Sequence, residues 1–201
     1  MRQLLILTIF FNFNCFAKGF LPKTFSAEIE QVFVSGLYKK KNISQGTIDY
    51  SYPGNIRFEI LKPKKVILVA NPKKYWYYRG SINNEPGELI IQNAKKLSLA
   101  DLFDPLTSEL KSSKKFKVFK KKTRYRISFN DDLKNKLDVK ELVLNFKTEA
   151  ANFSNIEYME IVYLKKPPVK FYFKEIKEGV QYSSNKFEFK IPENTNQRVL
   201  K

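Results

Sequence analysis

Between Gly46 and Arg79 the chain carries the two-residue period of apolar positions that marks a half-buried strand. Ile48, Tyr50 and Tyr52 alternate with Asp49 and Ser51; Pro53-Gly54 interrupts; Ile56, Phe58 and Ile60 then alternate with Arg57, Glu59 and Leu61. A continuous apolar run from Val66 to Ala70, an Asn71-Pro72 turn and the aromatic run Tyr75-Trp76-Tyr77-Tyr78 complete a predicted β meander. Its apolar face is dense in large side chains and must be covered. Upstream, Thr24 to Val34 fits a strand through Phe25, Ala27, Ile29, Gln31 and Phe33, and fits a helix through Phe25, Ile29, Val32 and Phe33, so periodicity leaves both open. Ser35-Gly36 and Lys39 to Asn42 read as the loop that follows.

Downstream, Asn83 to Gly87 is a predicted turn and Glu88 to Gln92 its partner strand. Ser98 to Leu106 predicts a short capped helix, because Leu99, Leu102, Phe103 and Leu106 fall on one stripe at helical spacing. Further strands are expected near Phe116 to Phe119, Arg124 to Phe129, Val139 to Phe146, Ile156 to Leu164, Val169 to Ile176 and Phe187 to Ile191. Asn130-Asp131-Asp132 and Gly179 are read as hairpin turns, and Pro167-Pro168 as a strand edge.

Composition strengthens the β reading. Of 201 residues 18 are Phe and 11 Tyr, against only 7 Gly, so strand formers abound and glycine-rich phosphate loops have little material. The length suits one domain. Residues 1–17 read as a secretory signal: Arg2, a short apolar core from Leu4 to Phe13, and Ala17 before the cut, too short to span a bilayer. The expected mature domain is then 18–201, without Cys15 and without any disulfide.

Charge and missing residue types narrow the function. Loss of Arg2 alone lowers the net charge from +17 to +16, carried by lysine runs at Lys39 to Lys41, Lys64-Lys65, Lys114-Lys115 and Lys120 to Lys122. The chain has no histidine, and its one cysteine lies in the signal, so Ser-His and Cys-His pairs and soft metal sites are excluded. Asp101 and Asp104 read as helix-end solvation. Asn130, Asp131, Asp132, Asn135 and Asp138 match a hard-cation loop only loosely, lacking its turn glycine and closing glutamate. No enzyme activity, metal or other cofactor is expected. A concave sheet face bearing Ile56, Phe58, Ile60, Leu68, Trp76 and Tyr78 either fills itself with side chains or holds an apolar ligand.

The ordered set Phe25-Ser-Ala27-x-Ile29-x-Gln31, then Gln45-Gly46-x-Ile48-x-Tyr50-x-x-Pro53-Gly54-x-Ile56-Arg57-Phe58-Glu59, then Pro63, Ile67-Leu68-Val69, Tyr75-Trp76-x-Tyr78, and finally Lys186-Phe187-x-Phe189-x-Ile191-Pro192 resembles the periplasmic outer-membrane lipoprotein carrier family. The resemblance implies a mainly β fold, an unclosed antiparallel barrel of about 11 strands with a short helical lid over a hydrophobic cavity. It implies a monomeric periplasmic chaperone whose groove, here Tyr50, Tyr52, Ile56, Phe58, Ile60, Leu68, Trp76 and Tyr78, takes the acyl chains of lipoproteins. The lid would be Leu99, Leu102, Phe103 and Leu106. Cargo would come from an inner-membrane lipoprotein-releasing ABC transporter and pass to an outer-membrane lipoprotein acceptor, with no nucleic acid involved.

Two departures stand out. The family's N-terminal amphipathic helix has only Lys18 to Lys23 available to it, and Tyr52 stands where relatives place a basic residue tied to cargo release, leaving Arg57 or Arg79 as substitutes at the rim. The alternative reading is a basic secreted module that binds anionic lipid, polysaccharide or nucleic acid through its lysines.

Overall fold

The computed structural model describes residues 19–35, 40–83, 85–93, 100–108 and 110–200. The expected signal at 1–17, Ser98, Leu99 and the Gly36–Lys39 part of the first loop lie outside the described residues. The strands are β1 (Thr24–Ser35), β2 (Lys40–Ser51), β3 (Asn55–Lys62), β4 (Val66–Ala70), β5 (Lys74–Arg79), β6 (Gly87–Asn93), β7 (Phe116–Lys121), β8 (Arg124–Phe129), β9 (Val139–Phe146), β10 (Ile156–Tyr163), β11 (Val169–Glu178) and β12 (Thr195–Leu200). Helix α1 (Ala100–Phe103) runs into a 3-10 turn (Asp104–Thr107), and helix α2 (Asp131–Leu137) joins β8 to β9.

All twelve strands form one sheet in the order β12-β6-β5-β4-β3-β2-β1-β11-β10-β9-β8-β7. Every neighbouring pair is antiparallel except β12 with β6. The sheet is open, with β12 and β7 at its two edges. It is also strongly curved: side chains of β3 such as Ile56 and of β8 such as Ile127 and Phe129 belong to one buried cluster, although five strands separate them in the sheet. Only a sheet bent around its own inner face brings those positions together. At the centre, β1 pairs with β2 along its whole length, from Thr24 opposite Ser51 to Ser35 opposite Lys40. Gly46 allows the close approach of β3, since a Cβ there would stand 1.8 Å from the Glu59 carbonyl oxygen.

The two faces are differently covered. The inner cluster contains Phe25, Ile29, Ile48, Tyr50, Ile56, Phe58, Ile60, Leu142, Leu144, Met159 and Phe171, with Leu102, Phe103 and Leu106 of the α1 segment packed upon it. A smaller outer cluster of Ile67, Val69, Trp76, Tyr78 and Leu89 lies on the opposite face of β4–β6, with Phe189 packed against it. The chain after β11 therefore forms a strap. Lys186 Nζ reaches Asp49 Oδ2 at 2.7 Å, Arg57 Nη1 donates to the Glu188 carbonyl at 3.3 Å, and Asn71 Nδ2 donates to the Phe187 carbonyl at 3.1 Å.

One reading that periodicity left open is decided, and other expectations change. The sheet has twelve strands where about eleven were expected, β12 being the addition. Thr24–Ser35 is a strand, because its edge groups are taken by β2 and β11 on both sides. Phe187 to Ile191 is not a strand: Phe187 is buried and Phe189 stacks on Tyr78, so this stretch is held by side chains, and β12 forms only afterwards. The Asn130 turn opens a helix instead. The Asn130 side chain accepts from the Leu133 amide at 3.0 Å, Asp131 and Asp132 sit in the first turn, and Lys134 and Lys136 pair with them three and four residues on.

Candidate functional site: a lidded apolar face

Strand alternation decides which side chains meet on the inner face. Ile56 lies opposite Ala70, Phe58 opposite Leu68 and Ile60 opposite Val66, and on the other flank Ile48 opposes Phe58 and Tyr50 opposes Ile56. Tyr50, Ile56, Phe58, Ile60 and Leu68 are thus brought together as one patch. Tyr77 joins them by register opposite Leu68, and Tyr75 packs against the same cluster. Burial, with the neighbouring Tyr77 adding to it, pushes the Tyr75 hydroxyl up to about 12.

Trp76 and Tyr78 do not belong to this patch. Trp76 lies opposite Val69 and Tyr78 opposite Ile67, so both point to the outer face, beneath the strap. Four consecutive aromatic residues offer no polar position from which alternation can be read, which is why the sequence placed Trp76 and Tyr78 with Leu68. Arg57 is on the outer face too, paired with Glu59 and with carbonyls of the strap. Arg79 opposes Val66 and so shares the inner side at the rim, where its Nη2 meets Glu88 at 2.6 Å.

The lid covers the patch at its Tyr50 end. Leu102, Phe103 and Leu106 are buried, and the Phe103 ring lies 5.7 Å from that of Tyr50 and 6.1 Å from that of Phe25. Amid these apolar contacts one polar group fastens the segment. The Tyr50 hydroxyl donates to Asp104 Oδ1 at 2.7 Å, and the Gly54 amide donates to the same carboxylate at 3.1–3.2 Å. Gly54 presents that amide from a turn with φ +71°, a conformation suited to glycine. Burial, then the hydrogen bond to Asp104, raises the Tyr50 hydroxyl far above its ordinary range, so it remains a donor.

A second strip of backbone closes the same segment. The amides of Phe20 and Leu21 donate to the carbonyls of Ser108 and Leu106 at 3.0 and 2.8 Å. Gly19 is obligatory here, since a Cβ would come within 1.8 Å of the Thr107 carbonyl oxygen. Residues 19–23 are not helical. Tyr52, before the cis Pro53, is exposed and borders a cleft of about 630 Å³ between the lid residues Asp101, Asp104 and Pro105 and the Lys114–Phe116 stretch. Sequence reasoning missed Asp104 as a fastener; its place inside the apolar stripe, just before Pro105, was the available signal.

Among the described residues no group of three His, Cys, Asp or Glu side chains is placed to hold a metal ion, and no helix is long and apolar enough to cross a membrane. Residues 22–190 match the family described as outer membrane lipoprotein carrier protein LolA. The chain belongs to that family. An outer-membrane lipoprotein carrier protein of Francisella philomiragia subsp. philomiragia is 23% identical over 172 residues, 85% of this chain and 80% of that protein. One of Dechloromonas aromatica is 38% identical over 56 residues, 28% of this chain and 27% of that one. Among solved structures, a LolA superfamily protein from Nitrosomonas europaea aligns with a TM-score of 0.44 at 7% identity, over 85% of this chain and 92% of that chain. The LolA match spans the elements that build the inner face and the lid, β1 through β11, together with most of the strap.

Proposed function

We propose that this chain is a periplasmic carrier that holds the acyl chains of lipoproteins against its inner face, taking them from an inner-membrane releasing transporter and delivering them to an outer-membrane acceptor, without catalysis. Family membership supports the cargo class. The observation that carries the mechanism is the lid itself: Leu102, Phe103 and Leu106 occupy apolar surface that cargo would need, and one carboxylate fastens them there.

Magnitudes explain why such occupation is useful. Burying a chain of ~16 carbons at about 0.8 kcal/mol per CH₂ gives roughly 12 kcal/mol, and several chains together approach the practical ceiling of noncovalent affinity. Cargo bound with that energy would not leave. A lid that returns to the same surface offsets part of it, so loading and release become an exchange between two apolar occupants. Tyr50, Ile56, Phe58, Ile60 and Leu68, with Tyr75 and Tyr77, are the contact surface in this reading, Arg79 is a rim cation, and Tyr52 borders the cleft through which the lid swings.

The test is co-elution of the purified chain with a fluorescent diacylated lipopeptide on gel filtration. Wild type is expected to carry the label and Ile60→Glu to lose it at least tenfold, while circular dichroism of the variant keeps its β signature. Absence of label on the wild-type peak at micromolar concentrations would remove the carrier reading.

A further inference from the structure

The β7–β8 hairpin and its approach are strongly basic. From Lys114 to Arg126 there are eight cations, Lys114, Lys115, Lys117, Lys120, Lys121, Lys122, Arg124 and Arg126, and no acidic residue. Alternation sorts them. Phe116, Val118, Tyr125, Ile127 and Phe129 turn inward to the core, so Lys117, Phe119 and Lys121 of β7 and Arg124 and Arg126 of β8 share the outer face. The register sets Phe119 opposite Arg126 and Lys121 opposite Arg124.

An exposed ring therefore stands in the middle of four cations. Phe119 is 49% exposed, and the Arg126 guanidinium lies over its ring at 5.2 Å. The ring, Lys120, Lys121, Arg124 and Arg126 line a shallow depression of about 330 Å³ that Glu141 closes at one side. Among the described residues, the only carboxylate in ion-pair reach of these eight cations is Glu141, 3.6 Å from Arg126. Directly opposed like charges such as Lys121 and Arg124 weaken a strand pair, and among the described residues no carboxylate pairs with either of them. The strap that covers the outer face of β4–β6 does not reach this half of the sheet.

We propose that the outer face of the β7–β8 hairpin docks the protein on an anionic phospholipid bilayer, with lipid phosphates lodged among Lys121, Arg124 and Arg126 and the Phe119 ring resting at the headgroup level. Clustered Lys and Arg around an aromatic ring is the composition of an interfacial anchor. The edge of β7 is partly taken by its own chain, the Val118 amide donating to Ser112 Oγ at 2.9 Å. An acidic partner strand added there would pair with backbone and leave the outer-face cations of β8 unused, whereas a planar surface meets the ring and the four cations around it together. Because β7 is one edge of the open sheet and Lys114 and Lys115 line the cleft beside the lid, docking brings that cleft to the membrane surface. Docking is independent of the cargo reading, since it needs no occupant on the inner face.

The test uses the cargo-free chain and sedimentation with phosphatidylethanolamine vesicles containing 0 or 30% phosphatidylglycerol, at 0.05 and 0.3 M salt. Each basic residue near an anionic surface multiplies partitioning about fivefold, so Lys117→Gln, Lys121→Gln and Arg124→Gln together, all on the outer face, should lower it roughly a hundredfold. The charge-matched triple Lys64→Gln, Lys65→Gln, Lys73→Gln should change it little, and Phe119→Ser should weaken the part that persists at high salt. Equal losses from both triples, no difference between neutral and anionic vesicles, or salt-sensitive binding only to an acidic polypeptide or to nucleic acid, would each overturn the proposal.

Discussion

Asp104 illustrates how one residue can set the balance of a larger segment. Its carboxylate accepts from the Tyr50 hydroxyl and the Gly54 amide, and the Tyr50 side chain it meets is fully buried. A hydrogen bond to a charged group contributes about 1.5–3 kcal/mol, and a buried hydroxyl left without a partner costs on the order of 1–3 kcal/mol. Asp104→Ala is therefore expected to raise the open population of the lid by about tenfold to a hundredfold. Asp104→Asn, which keeps an acceptor oxygen, should lie between it and wild type. Tyr50→Phe removes only one donor and should resemble the milder change. Binding of an apolar fluorescent dye reads the exposed inner face; equal dye binding by all four proteins would show that the carboxylate does not fasten the lid. From sequence, Asp104 looked like a solvated helix end, because its partners are fifty or more residues away and no periodicity reports a contact of that kind.

Elements with a strong local pattern were legible, and elements held by distant contacts were not. The limits of β8 and β9 agree with the alternation of Arg124 to Phe129 and Val139 to Phe146, since one face of each is in the core. The short lid helix followed from the Leu102, Phe103, Leu106 stripe. Helix α2 was missed because its seven residues offer only Leu133 and Leu137, half-buried against the core, too short a stripe to read as a helix, so its cap and ion pairs are the clearer marks. The strap was misread because Phe187 and Phe189 alternate like a strand but spend their spacing on side-chain contacts. Its polar anchor is Asp49, 7% exposed and held by Lys186 and by the Tyr182 hydroxyl at 3.2 Å. Lys186→Met leaves that carboxylate with only the tyrosine, a loss of about 1–3 kcal/mol by the cost of an under-satisfied buried charge. The urea midpoint should fall accordingly, and protease should cut near Lys190 sooner than in wild type. An unchanged midpoint with unchanged cutting would mean that the strap is held by Phe187 and Phe189 alone.

At the scale of the whole molecule the sheet is two-sided, and its sides differ in what covers them. The inner side is covered by the lid, fastened through Asp104, and the outer side of β4–β6 by the strap, fastened through Asp49. The single tryptophan separates the two. Trp76 packs with Ile67, Val69, Tyr78 and Leu89 on the outer side, with Phe189 against the same cluster, while its strand neighbours Tyr75 and Tyr77 face inward. A ligand that fills the inner face and displaces the lid touches no atom of this cluster, so tryptophan emission should keep its wavelength when a diacyl lipopeptide binds, whereas tyrosine-to-tryptophan transfer changes. Phe189→Ala should do the reverse: it admits water to Trp76 and shifts the emission to the red with little effect on lipopeptide retention. The same two titrations in Asp104→Ala and in Phe189→Ala separate the sides completely if the lid and the strap act independently. A red or blue shift of Trp76 on lipopeptide binding by wild type would show instead that the strap moves with the lid, and that β4 and β5 transmit the state of one face to the other.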